Sequence, residues 1–385
     1  MSEPPFTSDT PYQTATIPIP PRKPSLADML FGTSFRTAIS LCVGALLLTS
    51  SLFGMYQVLK PKPASNQRVR WQSASTDCTT AGGVTVAGGM VYLGCDNGMI
   101  YALEAADGKQ LWSFQAQGRV FARPTVVDGV VYVGTESALV YALRATDGTK
   151  MWSTQAGARI DNSPVVSDNL LLVSGGDRYL YALALSNRQI RWKFALENSY
   201  TTQPVVANGV VYISSNAKRF YALDVTTGKP RWSLALNGAF YSTLAISGDS
   251  LYLHTDTGVL YMLRASDGHI LGQTNTGSAV SSAPAIDGAY VYTTIGTHSF
   301  GAYNTTDPSH WILWQKDIGG HTGGATISAK SLYIAVGDTL YAITPAEGIT
   351  QWRYTAATRF QGLPQLSDGV LYIANVGGTV YALNA

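Results

Sequence analysis

From residue 81 onward, short apolar runs alternate with glycine-bearing turns. In one stretch "PTVV" and "VVYVG" flank Asp128-Gly129, and a third run, "LVYAL", follows at Leu139 to Leu143. Apolar runs of this length divided by Asp-Gly or Asn-Gly are the signature of strands joined by two-residue hairpin turns. The same punctuation recurs at Asn208-Gly209 and Asp368-Gly369. No 3.6-residue apolar period, which would mark an array of helices, runs through this region.

The pattern is a repeat. The tyrosine of "YAL" or a close variant stands at Tyr101, Tyr141, Tyr181, Tyr221, Tyr261, Tyr341 and Tyr381, a 40-residue grid with one vacancy, filled by Gly301 in "SFGAYNTTD". Downstream of "YAL", turns such as Asp107-Gly108, Asp147-Gly148, Thr227-Gly228 and Asp267-Gly268 lead into a fourth run. That run carries Trp112, Trp152, Trp192, Trp232, Trp314 or Trp352. Four strands of ~5–6 residues with short turns fill ~40 residues, the size of a propeller blade. Eight copies predict an all-β, eight-bladed β-propeller, because a lone blade leaves two apolar faces bare and neighbours stacked round an axis bury them.

The two ends of the repeat region complete each other. The eighth copy stops after its third strand, at "GTVYALNA", while "RVRWQSAS" (Arg68 to Ser75) supplies an unpaired tryptophan strand before the first copy. The expectation is that Trp71 takes the missing outer position and that its strand closes the ring, leaving no open edge. A tryptophan at the same place in each outer strand is read as structural, packing on the next blade. The sixth copy is irregular: "DPSHW" lengthens its turn before Trp314, and two residues are lost before Tyr341.

The first 36 residues contrast with the repeat, with prolines scattered among Ser and Thr and no basis for a core. Residues 37–59, "TAISLCVGALLLTSSLFGMYQVL", hold no charge, and at ~1.5 Å per residue such a helix just crosses a ~30 Å hydrocarbon layer. The predicted organisation is therefore a tail (1–36), one transmembrane helix (37–59), a linker (60–67) and the propeller (68–385). Basic residues on the two sides of the span, Arg22, Lys23 and Arg36 against Lys60, Lys62, Arg68 and Arg70, do not set its orientation.

Composition adds exclusions. The 385 residues carry 38 glycines, 22 tyrosines, 13% charged residues and a net charge of +2, so there is no broad basic field for nucleic-acid phosphates. The motifs HExxH, GxSxG and GxxxxGK[ST] are missing, and His254, His269, His298, His310 and His321 lack metal-ligand spacing. "GGHTGG" (Gly319 to Gly324) is read as an inter-blade loop. Cys78 follows the closing strand and Cys95 ends the second strand of the first blade, which places both on one face of the ring. A Cys78–Cys95 disulfide is expected, suiting an oxidising compartment, with two free thiols as the other reading.

The combination of "YAL" with "DGKQLW" and of "DGVVYVGT" before the next copy resembles the repeat of the pyrroloquinoline-quinone-like (PQQ-like) β-propellers, over essentially Arg68 to Ala385. Blades of minimal length make the chain similar to the BamB-like, non-enzymatic type. That resemblance implies a binding scaffold at the cell envelope, with protein partners, no cofactor and the propeller outside the cytoplasm. The quinoprotein dehydrogenases of the superfamily imply an alternative, pyrroloquinoline quinone with calcium on the axis. Their long insertions, adjacent Cys pair and Glu/Asn/Asp calcium set match no position here. Envelope polysaccharide binding is a third reading.

The period also locates a candidate binding face. The residue before each inner strand should reach the mouth of the axial channel, giving Ala81, Phe121, Asp161, Thr201, Tyr241, Ser281, His321 and Gln361. Arg119, Arg123, Arg159 and Arg359 add a basic sector, and Phe360 an aromatic surface. Arginine beside aromatics suits a partner hot spot or an anionic ligand; a solvated loop rim is the plainer reading.

Overall fold

The computed structural model describes residues 68–73, 78, 81–198, 202–277, 282–306, 311–320 and 322–385. The tail, the apolar span and the linker lie outside the described residues. The described residues form eight separate antiparallel sheets of four strands, one per blade. Blade 2 is representative, with strands Thr125–Val127, Val130–Gly134, Leu139–Arg144 and Lys150–Gln155 from the axis outward.

Burial explains why the middle strands read as unbroken apolar runs. In blade 2, Val131, Val133, Val140, Ala142 and Leu143 are almost fully buried, because both sheet faces are covered by neighbouring blades. The outer strand instead alternates exposed and half-buried positions. The first hairpin turns on Asp128 and Gly129, with φ of 49° and 74°; this pair of positive angles matches the twist of the flanking strands.

Trp–Ala pairs organise the outer half of most blades. Trp152 lies opposite Ala142, Trp192 opposite Ala182 and Trp232 opposite Ala222, so the small residue of "YAL" makes room for the indole. The indole N–H then donates to the next blade: Trp112 to the Ala145 carbonyl at 2.8 Å, Trp192 to Val225 at 2.9 Å, Trp232 to Ala265 at 3.0 Å and Trp314 to Pro345 at 2.8 Å. At the receiving turn the ring lies so close that a Cβ on Gly148 would sit 2.6 Å from Trp112. In blade 5 the sizes are exchanged, Met262 facing Gly272, and Trp311 of blade 6 fills the space over Gly272.

Ring closure is direct. Val69–Gln72 pairs with Val380–Asn384 as the outermost strand of blade 8, with Trp71 opposite Ala382. The Trp71 indole donates to Ala105 of blade 1 at 2.9 Å, and Arg70 Nε donates to Asn384 Oδ1 at 2.6 Å. Cys78 and Cys95 form a disulfide with Cα atoms 5.2 Å apart, tying the entry segment to the second strand of blade 1.

The inner strands are not alike. In blades 2 to 6 they span three residues, after Pro124, Pro164, Pro204, Leu244 and Pro284. In blades 1, 7 and 8 they run longer, as Ala81–Ala87, Thr322–Ile327 and Phe360–Ser367, across bulges that contain Gly82 and Gly83, Gly323 and Gly324, and Gly362. Part of "GGHTGG" is therefore strand rather than loop, while His321 lies outside the described residues.

Candidate ligand-binding mouth

A cavity of about 640 Å³ opens among the segments that lead into the inner strands of blades 2 to 5. Phe121 of blade 2, Arg159 and Asp161 of blade 3 and Tyr241 of blade 5 line it together with Asn162, Thr202, Gln203 and Thr243. Ser174, Gly175 and Gly176, at the end of the second strand of blade 3, complete it. The lead-in segments are fixed by bonds at equivalent repeat positions. Asn162 Nδ2 donates to Ser174 Oγ at 3.0 Å in blade 3, and the Thr202 hydroxyl lies 3.2 Å from Ser214 Oγ in blade 4.

Arg159 is laid against Gly176, where a Cβ would come within 2.9 Å of its Cγ. Its Nε is 2.9 Å from Asp161 Oδ2, so the charged pair facing the cavity is neutral overall. Arg119 has its guanidinium 5.9 Å from the Phe121 ring centre and its Nε 3.7 Å from Glu136. Arg123 is half-buried, and desolvation lowers the pKa of its guanidinium. Arg359 is exposed on the lead-in to blade 8 and is not part of the cavity lining. Tyr241 is 48% exposed.

Of the positions drawn from the period, Phe121, Asp161 and Tyr241 share this cavity, and Arg159 joins them. Thr201, Ser281 and His321 lie outside the described residues. Ala81 and Gln361 belong to inner strands, paired with Cys95 and Ala374, because the glycine bulges start those strands early. Gln361 Oε1 is buried without a partner. Phe360 is not a surface residue: it is buried between blades 7 and 8 against Tyr354 and Tyr381. Asn162 and Thr202 stand one place, and Gln203 and Thr243 two places, after the rim position of their blades on the same 40-residue grid, so one position per blade does not reach them.

The family described as "Outer membrane protein assembly factor BamB", a PQQ-like repeat family, matches residues 63–160, 136–337 and 312–385. The chain belongs to this family. Among curated proteins, the outer membrane protein assembly factor BamB of Salmonella typhimurium is 43% identical over 54 residues, 14% of each chain. The Escherichia coli protein of that name is 43% identical over 44 residues, 11% of each chain. These matches thus cover only about a seventh of the relatives' length. The crystal structure of BamB from Moraxella catarrhalis superimposes with a TM-score of 0.69 at 17% identity, over 78% of this chain and 93% of that one. The computationally designed Ika8 protein gives 0.74 at 14% identity, over 83% and 100%. A quinohemoprotein alcohol dehydrogenase from Pseudomonas putida HK5 gives 0.66 at 14% identity, over 84% and 78%. At these identities the structures share the fold alone.

The dehydrogenase neighbour raises the question of a quinone with calcium. Calcium takes six to eight oxygen ligands, carboxylates prominent among them. Among the described residues no group of three or more His, Cys, Asp or Glu side chains could hold a metal. Asp161 is the one carboxylate among the residues lining the cavity, and Arg159 already engages it. This donor set does not fit the calcium-bound cofactor, and no catalytic step is derived through it.

Proposed function

We propose that this BamB-family propeller is a non-catalytic docking scaffold of the cell envelope, held to a membrane by residues 37–59 with the propeller outside the cytoplasm. Its partner is a protein that seats on the mouth formed by blades 2 to 5. The observation that carries this reading is the half-exposed Tyr241, set round one concavity with Phe121 and Arg159. Tyrosine and arginine in a desolvated, concave setting are the residues that dominate protein interfaces. The relatives' designation as outer membrane protein assembly factors supports the same class of function.

The test is site-specific photo-crosslinking in native membranes. A crosslinker at position 241 should give one or a few discrete protein adducts, and Phe121→Ala with Arg159→Ala should abolish them. A crosslinker at Met151, 50% exposed on the outer strand of blade 2, serves as the comparison. Equal adduct patterns at 241 and 151 would remove the mouth as the docking surface.

A further inference from the structure

The cavity beneath the exposed rim has a chemistry of its own. Its volume of about 640 Å³ lies in the range of small-molecule sites, but its lining is mainly polar, unlike the apolar pockets that seize hydrophobic side chains. The charges inside cancel, because Arg159 and Asp161 are paired at 2.9 Å. A phosphate or polycarboxylate at Arg159 would have to compete with, and be repelled by, the Asp161 carboxylate already beside it, so the pair favours a neutral ligand over an anion.

The remaining lining favours hydroxyl groups. Among the described residues no protein group engages the Gln203 amide or the Thr243 hydroxyl, and both line the cavity. Gln203 offers both donors and an acceptor, Thr243 one donor and an acceptor, and the Arg159–Asp161 pair presents a fork of donors beside a carboxylate. Phe121 and Tyr241, from blades 2 and 5, add two aromatic faces for C–H surfaces.

Hydrogen-bonding capacity is also unspent in the adjoining chain. Ser242 Oγ, between Tyr241 and Thr243, is buried without a partner, and so are Ser215 Oγ and Asn216 Oδ1, which follow the Ser214 that holds Thr202. Buried polar atoms are nearly always satisfied, by protein or by ordered water. These three residues are not among those lining the cavity, so the polar contacts open to a ligand there are those of Arg159, Asp161, Gln203 and Thr243.

We propose that the mouth of blades 2 to 5 binds a neutral saccharide, one or two sugar rings seated between Phe121 and Tyr241 and hydrogen-bonded by Arg159, Asp161, Gln203 and Thr243. The proposal goes beyond protein docking and shares Phe121, Arg159 and Tyr241 with it, while Asp161, Gln203 and Thr243 serve the sugar alone, so variants at those positions test it separately.

The experiment is saturation-transfer difference NMR and calorimetry on the full chain in phospholipid nanodiscs, prepared without glycoside detergents. The probes are maltose, cellobiose and N,N′-diacetylchitobiose, with glucose 6-phosphate as the charged comparison. At least one neutral disaccharide should receive saturation on its ring protons, and Gln203→Ala and Asp161→Asn should each weaken its binding about tenfold. The melting midpoint of these variants should stay unchanged, which separates lost contacts from lost folding. Absence of binding by all three neutral sugars would overturn the proposal, as would tighter binding of glucose 6-phosphate or affinities unmoved in both folded variants. Loss of sugar binding with crosslinks from position 241 intact would leave docking standing, and lost crosslinks with intact sugar binding would remove docking alone.

Discussion

Blades 7, 8 and 1 and blades 2 to 5 use the same repeat to opposite ends. At the repeat position occupied by Gly82 and Gly362 in the first arc, the second has Ala122, Asn162, Thr202 and Ser242. Without side chains, the inner strands of blades 1 and 8 come together until a Cβ on Gly362 would lie 2.8 Å from the Gly83 Cα. In the second arc the inner strands span only three residues, and Asn162 and Thr202 tie the lead-in segments to the second strands of their own blades beside the cavity. One ring thus has an arc closed by backbone contact and an open arc lined by polar side chains. The difference rests on one or two residues per blade.

The largest expected effect comes from breaking closure at the outer edge. Trp71 is 9% exposed, packs at a tilt against Tyr372 and donates its indole N–H to blade 1. Trp71→Ala should cost about 4 kcal/mol, the usual loss for a large buried aromatic. Trp152, in the open arc, is only half-buried and makes no comparable indole bond among the described residues, so Trp152→Ala should cost roughly half as much. Urea denaturation of the two variants checks the order. Equal losses would mean that closure gives the first arc no special weight.

Next is the axis itself. Gly362→Ala adds a methyl at φ 75° and against the Gly83 backbone, and should cost about 3 kcal/mol from backbone strain and overpacking together. Thr202→Gly, at the same repeat position in the open arc, removes a side chain that bonds Ser214 and should cost about 1 kcal/mol. If Gly362→Ala were neutral, the backbone contact between blades 1 and 8 would not be what closes that arc.

Reduction of Cys78–Cys95 tests the closed arc from a third side. The bond spans 17 residues of sequence, and a loop of that size is constrained by about 3 kcal/mol in the unfolded chain. The unfolding midpoint should fall in dithiothreitol, and Cys78→Ala with Cys95→Ala should reproduce the fall without reductant.

The sequence carried the blades well, because each turn dipeptide and each Tyr–Trp pair is a local signal repeated on a fixed period. Closure by Trp71 was legible for the same reason: a surplus strand at one end met a deficit at the other. The pinch was not legible, since it depends on Gly83 and Gly362 approaching between neighbouring blades, a contact that no local pattern announces. Trp311 was hidden likewise. Its role follows from the missing indole at Gly272 on another blade, and only packing joins the two. Phe360 was misread because a residue next to a rim position on the grid is turned into the blade interface. The cavity was half legible: the period located Phe121, Asp161 and Tyr241, but Gly175 and Gly176 matter through the space they leave beside Arg159.

The smallest effect concerns His254, at the seam between the open arc and blade 6. Its repeat position is that of Ser174 and Ser214, which bond Asn162 and Thr202, but in blade 5 the corresponding Ser242 Oγ and His254 Nδ1 are both buried without partners. His254 Nε2 lies 2.7 Å from Thr293 Oγ1 across the blade interface, and burial pushes its pKa down from 6.5 to about 4. The unfolded chain therefore takes up this proton at a higher pH than the folded one. The stability contributed by keeping His254 neutral is fully present above the unfolded value and is lost as pH falls from 6.5 towards 4. Between pH 8 and pH 5.5 the loss should be about 1.4 kcal/mol. His254→Asn, which cannot titrate there, should flatten this part of the profile while the rest of the pH dependence remains. Because Asp256, two residues after His254, holds the lead-in of blade 5 by donating its N–H to the Ala239 carbonyl and accepting from the Ala239 N–H at Oδ1, the same acidification should loosen the mouth before the closed arc. Hydrogen exchange at pH 5.5 should then rise first in residues 239–244 and stay low in residues 370–375; exchange rising equally in both would place the weak point elsewhere.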